Sequence, residues 1–201
     1  MAEREADGPS RDTAVADLIF MGPPGVGKGT QAKRLSERHG WLHLSTGDLF
    51  RDHLKRSSAL GDLAQRYIER GEYVPDDVTI DMVREFIDAL PKGARVMFDG
   101  FPRTVAQAEA LEALFAERGR SIGGVLLIDV PRDELVRRIV ARSRSEGRAD
   151  DTPEVIARRF DVYSEQTQPV VEYYERLGRV RKVNGLGSVD EVTERLVEAA
   201  R

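Results

Sequence analysis

Apolar positions along the chain fall into two kinds of stretch that take turns. Short continuous runs read as buried strands, and longer stretches with apolar residues three and four apart read as amphipathic helices. The run DLIFMG at 17–22 ends in glycine and predicts a first strand. Residues 27–39 are helical in pattern, with Ala32 and Leu35 toward the core. A second strand is predicted at 41–44. Helices are predicted at 46–56 and 59–70, broken near Ser57 and Ser58. Gly71 ends the second of them and Pro75 blocks its continuation. A helix follows at 76–90 through Val78, Met82, Val83, Phe86 and Leu90. Then come a turn at 91–93, a strand at 94–99 and a helix at 104–118 carrying Ala108, Leu111, Leu114 and Phe115. The clearest strand is 122–130. It leads into a helix at 133–142 and a polar loop at 143–151. Thr152 is a natural N-cap with Pro153 at the first helical position, and this helix should run to about Leu177. A last strand at 179–183 precedes a helix capped by Ser188.

Strands alternating with helices predict an α/β fold, with a five-stranded parallel sheet covered on both faces. One connection is too long. A parallel crossover needs about a dozen residues, yet three helices separate the second and third strands. The excess predicts a helical insertion at 45–74.

Composition narrows the function. A chain of 201 residues suits one domain. Its 33% of charged residues, in mixed sign, and the absence of an apolar run near ~20 residues argue against a membrane protein. A net charge of −4 argues against a general nucleic-acid binder. There is no cysteine, which excludes disulfides, iron–sulfur clusters and cysteine-held zinc. The three histidines, His39, His43 and His53, lack ligand spacing. Residues 1–16 read as a mobile N-terminal arm ahead of a domain at 17–201. The arm has no apolar signal core, and Glu3, Glu5, Asp7 and Asp12 argue against a transit peptide, so the expected location is cytoplasmic.

The chemistry begins at Gly22-Pro-Pro-Gly-Val-Gly-Lys28, which fits G-x-x-x-x-G-K between a strand and a helix. Glycines let backbone N–H groups turn inward around phosphate oxygens, the helix N-terminus favours an anion, and Lys28 adds a point charge. The strict pattern places Ser or Thr directly after the lysine. Here that position is Gly29, and Thr30 follows one place later.

The nine residues from Gly22 to Thr30 resemble the phosphate loop of adenylate kinases. Ser45-Thr-Gly-Asp-Leu-Phe-Arg51 is similar to the AMP-side motif of that family, Asp99-Gly-Phe-Pro-Arg-Thr104 followed by Gln107 to its signature segment, and Gly147-Arg-Ala-Asp-Asp151 to its lid. The resemblance spans roughly 17–200. It implies a P-loop three-layer α/β/α fold with a helical NMP-binding insertion at 45–74 and a short lid at 142–152. It implies reversible phosphoryl transfer from MgATP to AMP, giving two ADP, by a monomer. The implied catalytic residues are Lys28, Arg103, Arg142, Arg148 and Arg159. The ATP side would comprise Gly25, Val26, Gly27, Lys28, Gly29, Thr30, Arg138, Arg142 and Gly187. The AMP side would comprise Thr46, Arg51, Glu72, Tyr73, Val74, Gly100, Phe101, Pro102, Arg103, Gln107, Arg148 and Arg159. Arginine suits both sides because its planar fork holds two phosphate oxygens at once. Magnesium would arrive with the nucleotide, with Asp99 acting on it through bound water. Asp150 and Asp151 read as lid and hinge groups, and Gly47, Gly71 and Gly147 as candidate hinges. Many bacterial relatives carry a longer lid with zinc-binding cysteines. This lid is short and the chain has no cysteine, so no zinc is expected.

Two other readings stay open on sequence grounds. A nucleotide-dependent switch would share the phosphate loop but needs no second nucleotide site. A UMP/CMP kinase would share both sites, but typically has alanine at the position of Thr46 and asparagine at those of Thr104 and Gln107.

Overall fold

The protein is described by a computed structural model over residues 16–146 and 152–201, without the side chains of 144–146. Of the expected arm, only Ala16 lies within this range, and it belongs to the first strand. Gly147, Arg148, Asp150 and Asp151 lie outside the described residues.

Five strands form one sheet: β1 (Ala16–Met21), β2 (Leu42–Ser45), β3 (Val96–Asp99), β4 (Ser121–Asp129) and β5 (Val180–Asn184). They are all parallel, in the order β2-β3-β1-β4-β5. Alternate residues of β1 serve opposite faces. Leu18 and Phe20 join one buried cluster, with Leu35, Leu135, Ile139 and Leu196. Ile19 and Met21 join another, with Val83, Leu111, Phe115 and Tyr174. A strand buried on both faces has no polar side, hence the unbroken apolar run at 18–21.

The helices α1 (Lys28–His39), α6 (Arg132–Glu146), α7 (Pro153–Val162) and α9 (Val189–Ala199) supply the first cluster. The second is supplied by α4 (Asp76–Asp88), α5 (Val105–Glu117) and α8 (Gln168–Arg176). Two further helices, α2 (Thr46–Lys55) and α3 (Ala59–Ile68), share a small third core with the connection after α3 and with α4. Phe50, Ala64, Val74 and Met82 are buried there. Ser45 and Ser58 cap these two helices, accepting from the backbone N–H of Asp48 and Gly61.

Two elements differ from expectation. Helix α6 continues to Glu146 rather than stopping at 142, because Arg-Ser-Arg-Ser-Glu contains no breaker before Gly147. The long helix expected from 153 to 177 is interrupted by a π-helical turn at Tyr163–Thr167, which separates α7 from α8. Pro169 lies two residues past it. A proline lacks the N–H that the carbonyl four residues back would accept, and its ring crowds that carbonyl, so α winding is disfavoured there.

The amino end of the central strand is tied by a buried ion pair. Asp17 has no exposed surface and accepts from Arg120 (Nη2, 2.7 Å; Nε, 2.8 Å) and from the backbone N–H of Val96 (2.7 Å). Burial pushes its carboxyl above the ordinary value, opposed by the hydrogen bond from Arg120. Removing one partner of such a pair strands the other. Arg120→Met is expected to cost about 3–5 kcal/mol, read from the urea midpoint. A loss below about 1 kcal/mol would show that the carboxylate is satisfied without the arginine.

Candidate active site

The carboxyl ends of β1 and β3 lie side by side, with Phe20 in register with Asp99. The chain leaves β1 toward β2 on one side of the sheet and leaves β3 toward β4 on the other. Open α/β sheets bind ligands in the crevice at such a reversal. Here it opens into a cleft of about 900 Å³, near the upper end of ordinary ligand pockets.

The floor is the loop from Gly22 to Lys28. Gly25 has φ +82°, and a Cβ there would meet Ile139 Cγ1 at 2.6 Å and the Leu135 carbonyl at 2.9 Å. Only glycine lets this loop lie so close to α6. Helix α1 has no side-chain cap and no acidic residue in its first turn. Its free N–H groups therefore suit an anion. Lys28 curls over the loop, its Nζ donating to the carbonyls of Gly22 (2.7 Å) and Pro23 (3.3 Å). Burial lowers its pKa to about 8. Nearby Asp99 opposes the shift, while Arg103 and Arg142 add to it.

Arg138 lies on the same wall. It donates to Glu134 (Nε to Oε1, 2.8 Å), the Val26 carbonyl (3.4 Å) and the Gly185 carbonyl (3.1 Å). It thus joins the phosphate loop to the loop after β5, where Gly187 has φ +107°.

Across the cleft, the segment after β3 is held by a dense network. Thr46 donates to the Gly100 carbonyl (2.8 Å), and so does Arg103 Nε (2.7 Å). The Gln107 amide is used at both ends. Oε1 accepts from the Arg103 N–H (2.8 Å), and Nε2 donates to Asp76 Oδ1 (2.7 Å). Thr104 caps α5 through the Gln107 N–H and donates to Asp76 Oδ2 (2.8 Å). The Thr104 hydroxyl is thus spent on protein groups, whereas Gln107 lines the cleft with one N–H and one lone pair to spare. Asp76 was not anticipated from the sequence. It lies 31 residues before Gln107 and reads only as a helix-start acid.

Most expected site residues line this one cleft. Gly25, Val26, Gly27, Lys28, Gly29, Thr30, Arg138, Arg142 and Gly187 do so on the phosphate-loop side. On the other side are Thr46, Arg51, Glu72, Tyr73, Val74, Gly100, Pro102, Arg103, Gln107 and Arg159. Phe101 departs from expectation. It is 2% exposed, packs against Phe98 in the core and supports the loop from behind. Arg148 lies outside the described residues. Gly47 sits in the first turn of α2, whereas Gly71 takes φ +70° in the connection after α3. His43, Tyr163 and Thr167 also line the cleft and carried no sequence signal, since each sits inside an ordinary strand or helix pattern.

Asp99 is 13% exposed at its side chain, and its Oδ2 lies 3.5 Å from where a Cβ on Gly29 would be. Among the described residues no three acids or histidines gather into a metal cage. One carboxylate beside a phosphate loop suits a cation that comes with its own ligands. Among the described residues, seven cations line the cleft (Lys28, Lys33, Arg51, Arg103, Arg138, Arg142 and Arg159) against the acids Asp48, Glu72, Asp99 and Glu134.

A parallel sheet whose central strand runs through G-x-x-x-x-G-K into a helix defines a P-loop phosphate-binding protein. A family profile described as adenylate kinase matches residues 20–179. Curated proteins named adenylate kinase are similar over most of the chain. That of Thermus thermophilus is 51% identical over 179 residues, covering 89% of this chain and 94% of that protein. That of Micrococcus luteus is 47% identical over 182 residues, covering 90% and 89%. That of Bacteroides thetaiotaomicron is 42% identical over 183 residues, covering 91% and 97%. The chain belongs to the adenylate kinase family.

Proposed function

We propose that this cleft transfers the terminal phosphoryl group of MgATP to AMP, reversibly, giving two ADP. The observation that carries this reading is the facing pair of half-sites in one basic cleft, a phosphate loop on one wall and the Arg103–Gln107 network on the other. A switch needs only the first half. In UMP/CMP kinases asparagine is typical at position 107, where this chain has glutamine, and this favours the adenine reading.

The residues then divide as follows. The free N–H groups of the loop and Lys28 hold the donor's outer phosphates. Arg138 and Arg142 serve the ATP side, with Gly187 in the loop bordering the base. Arg51, Arg103, Arg148 and Arg159 hold the AMP phosphate and the group in flight. Gln107 reads the base, with Thr46, Glu72, Tyr73, Val74, Gly100 and Pro102 around it. Magnesium, bound with ATP, spreads the polyphosphate's charge, and Asp99 and Thr30 are the oxygen groups that would face its water shell. The chemistry asks little of the protein beyond positioning and preorganised charge. No helix among the described residues is long and apolar enough to cross a membrane. We take the working form to be a cytoplasmic monomer without zinc.

Water would compete with AMP for the phosphoryl group in an open cleft, so closure should accompany double occupancy. The segments at 45–74 and 142–152 are the candidate covers. Two adenosines joined by five phosphates should bind tightly and slow amide exchange in both segments. Unchanged exchange in both at saturation would overturn the two-cover mechanism.

A further inference from the structure

The mechanism above gives Tyr73 only a place beside the base, yet the two ends of its side chain touch two other elements. Tyr73 follows the α3 connection. Its ring lies beneath the Arg103 guanidinium, 4.8 Å from ring centroid to Cζ. Its hydroxyl lies 2.8 Å from Thr167 Oγ1, in the π-helical turn between α7 and α8. Thr167 Oγ1 in turn donates to the Arg103 backbone carbonyl at 3.0 Å. A hydroxyl has one hydrogen, and a carbonyl can only accept. Thr167 therefore spends its hydrogen on Arg103, and Tyr73 must donate to Thr167. The direction of both hydrogen bonds is fixed. Thr167 is 6% exposed, so its hydroxyl is held away from bulk water. The neighbouring stem is packed on the same support: a Cβ on Gly71 would stand 3.0 Å from the Val155 carbonyl of α7 and 3.3 Å from Arg159 Cγ. Tyr163, in the same π turn, is kept protonated. Burial and the nearby Tyr73 phenol push it up to about 12.

We infer that Tyr73 is a positioning residue for Arg103, its hydroxyl fixed by Thr167 and its ring setting the plane of the guanidinium that meets the acceptor phosphate. Arg103 Nε is anchored on the Gly100 carbonyl, which fixes one edge of the fork. A cation over an aromatic face prefers to lie flat on it, and this fixes the plane. The hydroxyl contact keeps the ring from turning away. The three groups form a closed loop through Arg103, so the α3 connection, the segment after β3 and the π turn share one register. This rests on the reading of Arg103 as an acceptor-side group.

The test is steady-state kinetics with ATP and AMP varied separately, each variant being checked for folding by thermal melting. Tyr73→Phe loses one hydrogen bond and should raise KM for AMP by about 3- to 10-fold. KM for ATP should stay within about twofold, since no donor-side group is touched. Tyr73→Leu loses the ring as well and should be worse than Tyr73→Phe. Thr167→Val also strips the Arg103 carbonyl of its donor and should be at least as severe as Tyr73→Phe, and the double variant should be no worse than Thr167→Val alone, because both break one unit. Thr167→Ser keeps the hydroxyl and should restore a near-normal KM for AMP. If Thr167→Val does not fold, the Phe, Leu and Ser variants carry the test. An unchanged KM for AMP in Tyr73→Phe, or an equal rise for both nucleotides, overturns the positioning role. A wild-type protein that does not phosphorylate AMP would overturn the acceptor-site reading itself, before any variant is compared.

Discussion

Replacing Lys28 by methionine is expected to lower turnover by about 10²-fold or more with the fold intact. Methionine keeps roughly the side chain's length and apolar stem and removes only the charge. That charge is already aimed. Nζ lies over its own loop, on the carbonyls of Gly22 and Pro23, where a phosphate oxygen would otherwise be the stronger partner. It is also under strain of sign, being buried among cations, and this holds its pKa near 8. A polyphosphate relieves that strain by favouring the ammonium. The sign follows. Below pH 8 the free protein carries a charged Lys28, and nucleotide binds without proton uptake at this group. Above pH 8 the free amine must gain a proton on binding, so affinity for ATP should fall as pH rises from about 8 toward about 10.5. Titration calorimetry in buffers of different ionisation enthalpy reads that proton, and Lys28→Met should lack it. Neutral variants of Arg103 and Arg142 should lose turnover on a similar scale. A methionine variant with normal turnover would contradict the role given to the loop.

The second large effect concerns the acceptor. AMP is expected to exceed CMP and UMP by about 10²-fold in kcat/KM, because a buried amide left unpaired by the wrong base costs a few kcal/mol. The side chain that decides is Gln107, 1% exposed. Its amide cannot turn over. The Arg103 N–H demands an acceptor at Oε1, and the Asp76 carboxylate demands a donor at Nε2. One N–H and one lone pair remain for a base. Adenine offers the matching amino donor and ring acceptor. Uracil seated in adenine's place sets a carbonyl against Oε1 and a ring N–H against the amide N–H, like against like. Cytosine has the right order on a smaller ring and would leave a gap. Comparable rates with CMP or UMP in a direct assay would remove the adenine reading and leave the fold untouched.

How much of this the sequence carries depends on the range of the interaction. Local signals were legible. The G-x-x-x-x-G-K turn, Thr152 before Pro153, and Ser188 at a helix start are each confined to a few residues, and the structure adds Glu191 as the reciprocal half of the Ser188 cap. The apolar runs of β1 and β4 and the excess length before β3 were legible for the same reason. What failed to show is made by distant residues meeting. Asp76 orients Gln107 across 31 positions, and Thr167 reaches Tyr73 across 94. The inward turn of the Phe101 ring did not show either, because its motif is written as one segment and the ring's partner, Phe98, belongs to the strand before it. The π turn was hidden because Pro169 lies inside an otherwise helical pattern. Its effect is felt in the preceding turn rather than at the proline itself.

That π turn makes the chain's length matter more than its letters between α7 and α8. Five residues at 163–167 wind more slowly than an α-helix would. The turn already holds one residue more than α winding needs for the same rotation, so inserting another residue in α7 would swing everything beyond by about 100° around the helix axis. Val170, Val171 and Tyr174, now packed beneath the sheet, would lose that face together. Thr167 would leave Tyr73 in the same movement. Chimeras or loop transplants joined anywhere from α7 to α8 should therefore preserve residue count first. The phase of the last helix before β5 is set by counting, and no choice of side chains downstream can restore it.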